Sequence, residues 1–302
     1  MRLPRRVTVV EVGPRDGLQN EATPLSIDDR VQFCDRLSAA GLPVVEVGAL
    51  VSPSWVPQMA GSEEVLRRVE KRPGLRLSVL VPNRKGFDRA RVAGAREIAV
   101  FTAASETFNR HNANAGIDES FARFAEFLPE ARQGGLRIRG YVSTSFGCPY
   151  EGPVPADRVA DVARRLVESG CDEVSIGDTI GVAAPTQVSE LVGRLGEAVP
   201  VATLAVHFHD TRGSALANVL AALQEGIAVV DSAAGGLGGC PYAPGASGNL
   251  ATEDLVYMLH GMGIATGVDL AAVAEASRAI GHRLGRTLPS RYLQAGPAAG
   301  RP

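Results

Sequence analysis

The sequence predicts a single closed (β/α)8 barrel of the TIM type, an α/β fold carrying an additional helical segment at its C-terminal end. Three observations lead there. Short β-branched runs alternate with helical stretches about eight times along 302 residues, at a spacing of roughly 30 residues per unit. The polar residues that stand out fall at the ends of the predicted strands, where barrels of this type place their active sites. The turn after the first strand reads Gly13-Pro14-Arg15-Asp16-Gly17 and lacks the glycine-rich phosphate fingerprint of an open doubly wound sheet.

The strands are expected at Val7–Val12, Val44–Val47, Leu75–Val81, Glu97–Phe101, Leu136–Val142, Glu173–Ile176, Leu204–Phe208 and Ala228–Ser232. Ser26 precedes a helical stretch Ile27–Ala40, with Asp28 and Asp29 in its first turn, where acid suits the positive end of the helix dipole. Gly41 stops it. Asp118 and Pro155 begin two more helices, and Gly170 closes the second. A last helix covers about Leu270–Leu284 after the eighth unit, and the Pro/Gly/Ala-rich tail after Leu288 is expected to fray. No linker interrupts residues 1–302, which read as one domain.

Composition narrows the function classes. With 31 Lys+Arg against 33 Asp+Glu, the net charge of -2 offers no basic face for nucleic acid. No run approaches the roughly 18 apolar residues of a membrane span. Arg5 and Arg6 resemble a twin-arginine leader, but Glu11 breaks the apolar run behind them, so a first strand is the better reading. Cys34, Cys148, Cys171 and Cys240 are far apart without a CxxC pair, as in a reducing cytoplasm. Cys34 and Cys171 read as packed thiols; Cys148 sits in a loop without an evident task.

His207 and His209 stand at i, i+2 in the seventh strand, a spacing that points both imidazoles to one face. Such a pair is either two ordinary polar residues or a bidentate metal clamp. Asp16, at the end of another strand, supplies a carboxylate to the same mouth, and Asn249 either an amide oxygen or a helix cap. A set of Asp16, His207, His209 and Asn249 has mixed nitrogen and oxygen donors and no thiolate, which suits octahedral Mg²⁺ or Mn²⁺ better than tetrahedral zinc. Asp210 and Glu253 are candidate acceptors for orienting those ligands. Arg15 adjoins Asp16 and suits a developing enolate or carboxylate, or else forms a salt bridge to Glu11 or Glu46. Cys240 follows a run rich in glycine, so it reads as a loop thiol able to exchange a proton rather than a packed one. Trp55 reads as an anchor packed on the barrel rim.

Together these stretches resemble the hydroxymethylglutaryl-CoA lyase family. The resembling segments are Glu11-Val12-Gly13-Pro14-Arg15-Asp16-Gly17-Leu18-Gln19-Asn20-Glu21, Val51–Met59, Cys148–Gly152, Gly177–Gly181, His207-Phe208-His209-Asp210, Gly236–Tyr242 and Gly248–Asp254, in the family's order. The Arg-Asp-Gly and His-x-His-Asp pieces are shared with a wider superfamily of Claisen-type barrel enzymes; the Gly-Leu-Gly-Gly-Cys-Pro-Tyr loop is the lyases' own. The resemblance implies cleavage of 3-hydroxy-3-methylglutaryl-CoA to acetyl-CoA and acetoacetate, as in leucine degradation, with one divalent cation, Mg²⁺ or Mn²⁺. It implies Asp16, His207, His209 and Asn249 as ligands, Arg15 as enolate stabiliser and Cys240 as lid thiol in proton transfer. Glu46 and Asp178 match acidic positions that handle the hydroxyl proton, with His207 as the alternative to Asp178. Asn83, Arg84 and Lys85, and Asn109, Arg110 and His111, are candidate contacts for the phosphates of the acyl-CoA.

The chain departs from the family at Gly48-Ala49-Leu50 and at Ser232-Ala233-Ala234, changes expected to make the mouth smaller or less polar. A lyase for a longer 3-substituted 3-hydroxyglutaryl-CoA therefore fits as well. Competing classes are a condensing synthase joining acetyl-CoA to a 2-oxo acid, an aldolase acting without CoA, and a catalytically dead barrel. Barrels of this kind often form homodimers, though no interface is legible in the sequence.

Overall fold

In the computed structural model, which describes residues 3–239 and 248–296, eight parallel strands close into a barrel in sequential order. They are β1 (Thr8–Glu11), β2 (Val44–Ala49), β3 (Arg76–Leu80), β4 (Glu97–Ala103), β5 (Arg137–Ser143), β6 (Glu173–Asp178), β7 (Leu204–Phe208) and β8 (Val229–Ser232), with β1 paired to both β2 and β8. Each falls on its predicted run. β1, β3 and β8 are slightly shorter than read, β7 matches its expected bounds, β2, β4 and β6 extend two residues further, and β5 is shifted by one residue. Strands buried on both sides read as near-continuous apolar runs, which is why the pattern is legible without strict alternation.

The helices pack outside this ring. In Ala156–Glu168 the buried residues are Val159, Ala160, Val162, Ala163 and Leu166, one apolar stripe against the sheet. Ser26 accepts a hydrogen bond from the Asp29 amide at 3.1 Å, capping the helix Ile27–Ala39 as its sequence suggests. Leu270–Leu284 forms over the expected residues, capped by Asp269. Two helix expectations need correction. Asp118 lies in the first turn of Ile117–Ala125 rather than starting it, because Glu119 folds back onto the Gly116 amide at 2.5 Å. The chain does not fray directly after Leu288: Arg291–Ala295 is a short helix, tied down where Ser290 and the amides of Arg291 and Tyr292 bond the carboxylate of Asp254.

The barrel interior is unusual for its charge. Arg139 and Asp231 are each 1% exposed, and Glu46 is wholly buried. Buried ions are tolerated only when paired and hydrogen-bonded, and here they form a connected set described below. The departure Gly48-Ala49-Leu50 turns out to lie behind the barrel wall and not in the mouth. A Cβ on Gly48 would overlap the Ser62 hydroxyl and crowd the Arg30 guanidinium, at the irregularity where β2 shifts register against β3. Likewise Ser232, Ala233 and Ala234 are buried away from the cavity wall.

Glu11 ends β1 but does not reach Arg15. Its carboxylate accepts the amides of Gly13 and Ala234 at 2.8 and 2.9 Å and the Thr252 hydroxyl at 2.7 Å, joining the first turn to the last unit. Burial pushes its pKa up to about 8, the hydrogen bonds only partly opposing this. The folded state therefore holds a proton that the unfolded chain releases near pH 4.5, so this group's contribution is complete below that value and lost as pH rises towards 8. Glu11→Gln keeps the acceptor and is expected to flatten this fall in stability, read as Tm between pH 5 and pH 9. Glu253, pushed up to about 7 by burial, retains a smaller slope of the same sign.

Candidate metal centre and active-site cavity

The turn out of β1 is tight. The amides of Arg15, Asp16 and Gly17 all converge on the Val12 carbonyl, at 3.1, 2.7 and 3.2 Å. Gly13 makes this possible, since a Cβ there would sit 2.6 Å from Glu11 Oε1. The turn delivers Arg15 and Asp16 to the barrel mouth, where β7 delivers His207 and His209. Nε2 of His207 and of His209 lie 3.9 and 4.0 Å from Asp16 Oδ2. Ligand atoms of all three residues fall within 4.8 Å of one another, the only such cluster among the described residues. Two donors bonded to one ion at about 2.0–2.2 Å stand at most about 4.4 Å apart, so the Asp16 carboxylate is within reach of an ion shared with either imidazole.

Electrostatics agree with this use. Burial alone would raise the Asp16 pKa, but Arg15, His207 and His209, with a hydrogen bond from Asn249, bring it down to about 2, so the carboxylate is ionised. Burial, aided by the neighbouring His207, brings His209 down to about 4, which keeps its imidazole neutral and able to ligate. Among the described residues, two buried polar atoms of the set have no hydrogen-bond partner: His209 Nδ1 and Asn249 Oδ1. A carboxylate, two imidazoles and an orphaned amide oxygen fit a divalent cation.

Asn249 does not cap the following helix, whose N-cap is Ala251. Its Nδ2 donates to Asp16 Oδ2 at 2.9 Å and to the Leu237 carbonyl at 3.0 Å, so nitrogen faces the carboxylate. Ligation through oxygen requires the carboxamide to turn over.

Arg15 is buried yet held charged by Glu46 and Asp16. Its Nε pairs with Glu46, its Nη1 donates to Asp16 Oδ1 at 2.6 Å, and the guanidinium lies 5.4 Å from the Tyr141 ring centre. Glu46 spends its other oxygen on the Tyr141 hydroxyl at 2.6 Å. It is buried, does not line the cavity, and holds Arg15 through Nε. Asp178 is likewise turned away. Its oxygens accept the Val182 and Ala183 amides, each at 3.0 Å, bracing the turn after β6, while Gly177 and Thr179 face the cavity. Cys240 lies outside the described residues.

The expected phosphate contacts divide. Asn83 lines the cavity, though its Oδ1 caps the next helix through the Gly86 amide. Lys85 does not: it faces a groove between the helices Ser62–Arg68 and Arg84–Val92, with Glu63, Arg67 and Asp88. Arg84 pairs with Asp88 and Glu130. Asn109 is a buried brace to Ala115 and Ser120, and His111 stacks on Tyr150 at 4.5 Å. Asp210 accepts the Ala215 amide and Glu253 the Gly235 amide. Trp55 is 68% exposed on the rim and not packed as an anchor.

The structure adds residues that sequence reasoning missed. Asp231 bonds His207 Nδ1 at 3.2 Å, Gln19 donates to Asp16 Oδ1 at 3.0 Å, and Arg123 is the cation on the cavity's outer wall. His207 and Asp231 are directly paired across β7 and β8, so strand register was the signal for that contact.

Fold and site together define a closed β/α barrel whose mouth carries a carboxylate–imidazole cluster fit for a divalent cation, beside a fixed arginine. The chain belongs to the HMGL-like family, whose model matches residues 6–280. It is 56% identical to the hydroxymethylglutaryl-CoA lyase of Pseudomonas mevalonii over 94% of this chain and 95% of that one. It is 52% identical to a 3-hydroxy-3-isohexenylglutaryl-CoA/hydroxymethylglutaryl-CoA lyase of Pseudomonas aeruginosa, over 98% of each. The crystal structure of hydroxymethylglutaryl-CoA lyase from Pseudomonas aeruginosa superposes with a TM-score of 0.96 at 52% identity, covering 98% of both chains.

Proposed function

We propose that this protein is a carbon–carbon lyase that cleaves 3-hydroxy-3-methylglutaryl-CoA to acetyl-CoA and acetoacetate with Mg²⁺ or Mn²⁺ held by Asp16, His207, His209 and Asn249. The observation that carries the reading is the convergence of the first three side chains within 4.8 Å in a cavity that also holds Arg15. When bound, the cation supplies Lewis-acid polarisation of the substrate hydroxyl and charge for its carboxylate. Arg15, fixed by Glu46 and Asp16, presents a preorganised positive group to the thioester oxygen as enolate charge develops there. His207 acts as ligand in this scheme; with Nδ1 committed to Asp231 and Nε2 to the ion it keeps no lone pair for the hydroxyl proton. The hydroxyl proton passes to water in the cavity as the carbon–carbon bond breaks, and Cys240 is assigned delivery of its thiol proton to the carbanion carbon, the thiolate then regaining a proton from water, on the strength of the resemblance and the reactivity of a loop thiol.

A second reading has its own support. The cavity measures about 860 Å³ and includes an apolar stretch of Leu80, Phe101, Phe108, Phe124 and Val142, room for a longer 3-substituent than methyl. One experiment covers both: mass-spectrometric product analysis over 3-hydroxy-3-alkylglutaryl-CoA substrates with Mg²⁺ or Mn²⁺, and with chelator. Acetyl-CoA plus a 3-oxo acid, lost on chelation, is the expected result. No cleavage of any substrate, or cleavage indifferent to chelator, overturns the assignment.

Arg123 is assigned to the CoA phosphates. Its guanidinium is pinned by the carbonyls of Ala113 and Asn114 at 3.0 and 2.9 Å on the cavity wall. Arg123→Ala is expected to raise KM for the acyl-CoA about tenfold, the worth of one charged hydrogen bond, with kcat little changed. Lys85→Ala is expected to leave both constants alone; the reverse pattern would restore the sequence assignment. A cytoplasmic setting and a homodimer belong to the same proposal; Cys34, Cys148 and Cys171 are buried free thiols, in keeping with a reducing compartment.

A further inference from the structure

We infer that Asp231, clamped by Arg139 and Ser175, is the positioning residue that sets the tautomer of His207 and so aims Nε2 at Asp16 and His209. The inference rests on the metal centre proposed above. It starts from register: His207 and Asp231 are cross-strand partners on β7 and β8, with both side chains inside the barrel. Asp231 Oδ2 lies 3.2 Å from His207 Nδ1 and also accepts the Ser175 hydroxyl at 2.9 Å. Its Oδ1 is taken by Arg139 Nη2 at 2.6 Å.

A carboxylate can only accept, so the proton of a neutral His207 must reside on Nδ1, and the lone pair is left on Nε2. Arg139 can only donate, so Asp231 cannot rotate to release the ring without breaking an ion pair that is 1% exposed on its arginine side. Arg139 is in turn held by Glu173 at 2.8 Å. Its Nη1 donates to the Tyr141 hydroxyl at 3.0 Å, which donates to the Glu46 carboxylate that carries Arg15. One buried chain of polar contacts thus runs from the imidazole ligand across the barrel to the arginine beside the carboxylate ligand. A purely structural counter-ion to Arg139 would not need to spend its second oxygen on the histidine.

Asp231→Asn separates these roles. Arg139 retains the amide oxygen, which places the NH2 group against His207 Nδ1 and forces that nitrogen to accept. The proton then moves to Nε2 and blocks the ligand position, the same inversion that follows when the aspartate behind a catalytic histidine becomes an amide. The test uses the full chain labelled with ¹⁵N-histidine, where five histidines give a countable spectrum and His207→Gln assigns the peak. With chelator present, long-range ¹H–¹⁵N correlations are expected to show His207 as Nδ1–H in the wild type and Nε2–H in Asp231→Asn. Mn²⁺ titration followed by EPR is expected to show about 10- to 100-fold weaker binding in the variant. Ser175→Ala, which keeps the carboxylate and Arg139, is expected to retain the Nδ1–H form. A wild-type spectrum showing Nε2–H overturns the inference whether or not the variant folds, as does an unchanged tautomer or unchanged Mn²⁺ affinity in a folded Asp231→Asn. A wild-type chain that takes up no Mn²⁺ overturns the metal centre itself, and the spectra then decide the tautomer separately.

Discussion

Asp16→Asn is expected to abolish measurable binding of Mn²⁺ or Mg²⁺ and to lower kcat/KM by about 10³-fold or more, the kinetic equivalent of the several kcal/mol that Lewis-acid assistance contributes. The reason lies in how the carboxylate is built in. Asp16 supplies the only negative charge of the ligand set, and its two oxygens have separate tasks. Oδ1 accepts Arg15 Nη1 and Gln19 Nε2, while Oδ2 faces both imidazoles. A carboxamide that keeps its oxygen towards Arg15 and Gln19 turns NH2 towards the imidazoles, where a cation would sit, so the nearly isosteric change replaces a ligand by a donor. The variant should fold, because its NH2 faces imidazole nitrogens able to accept, the Asn249 carboxamide can turn its oxygen towards it, and Arg15 retains Glu46. A titration calorimetry trace matching the wild type would remove Asp16 from the ligand set.

How much of this could be read from the sequence follows from which interactions are local. The strands were legible because parallel strands in a barrel are buried on both faces and stand out as apolar runs. The metal cluster was legible because each member is marked locally: two histidines at a strand's period of two, and an aspartate in a glycine-rich turn at a strand end. What failed depended on side-chain direction. Asp178 ends β6 and points where two backbone amides need an acceptor, and the sequence does not show which of Asp178 and Thr179 turns inward. Lys85 sits two residues after Asn83 on a strand–helix turn, yet helix geometry carries it to the outer face. Asp231 was passed over because its meaning comes from the register of β7 against β8, a long-range fact. Arg123 was missed because it lies in a helix of the fourth unit that folds over the mouth, outside any strand end.

Arg15→Met removes the charge and keeps much of the side chain's length, and kcat is expected to fall about 10²- to 10³-fold, the loss found when one preorganised donor to a developing oxyanion is deleted. Divalent-cation affinity should change far less, since Gln19 still orients Asp16. This split distinguishes Arg15 from its neighbour, whose loss removes binding and turnover together. KM should rise only modestly, because the interaction strengthens as the thioester oxygen gains charge and is weak in the ground state. Arg15→Lys is not expected to rescue. The guanidinium is held by two carboxylates at once, through Nε to Glu46 and through Nη1 to Asp16, and lies by the Tyr141 face. A single ammonium cannot satisfy both partners and still face the cavity. The lost pairing also leaves Glu46, which is wholly buried, with Tyr141 as its remaining partner, so the lysine variant should melt at lower temperature than the wild type. Full turnover in either variant would show that enolate charge is met elsewhere in the cavity.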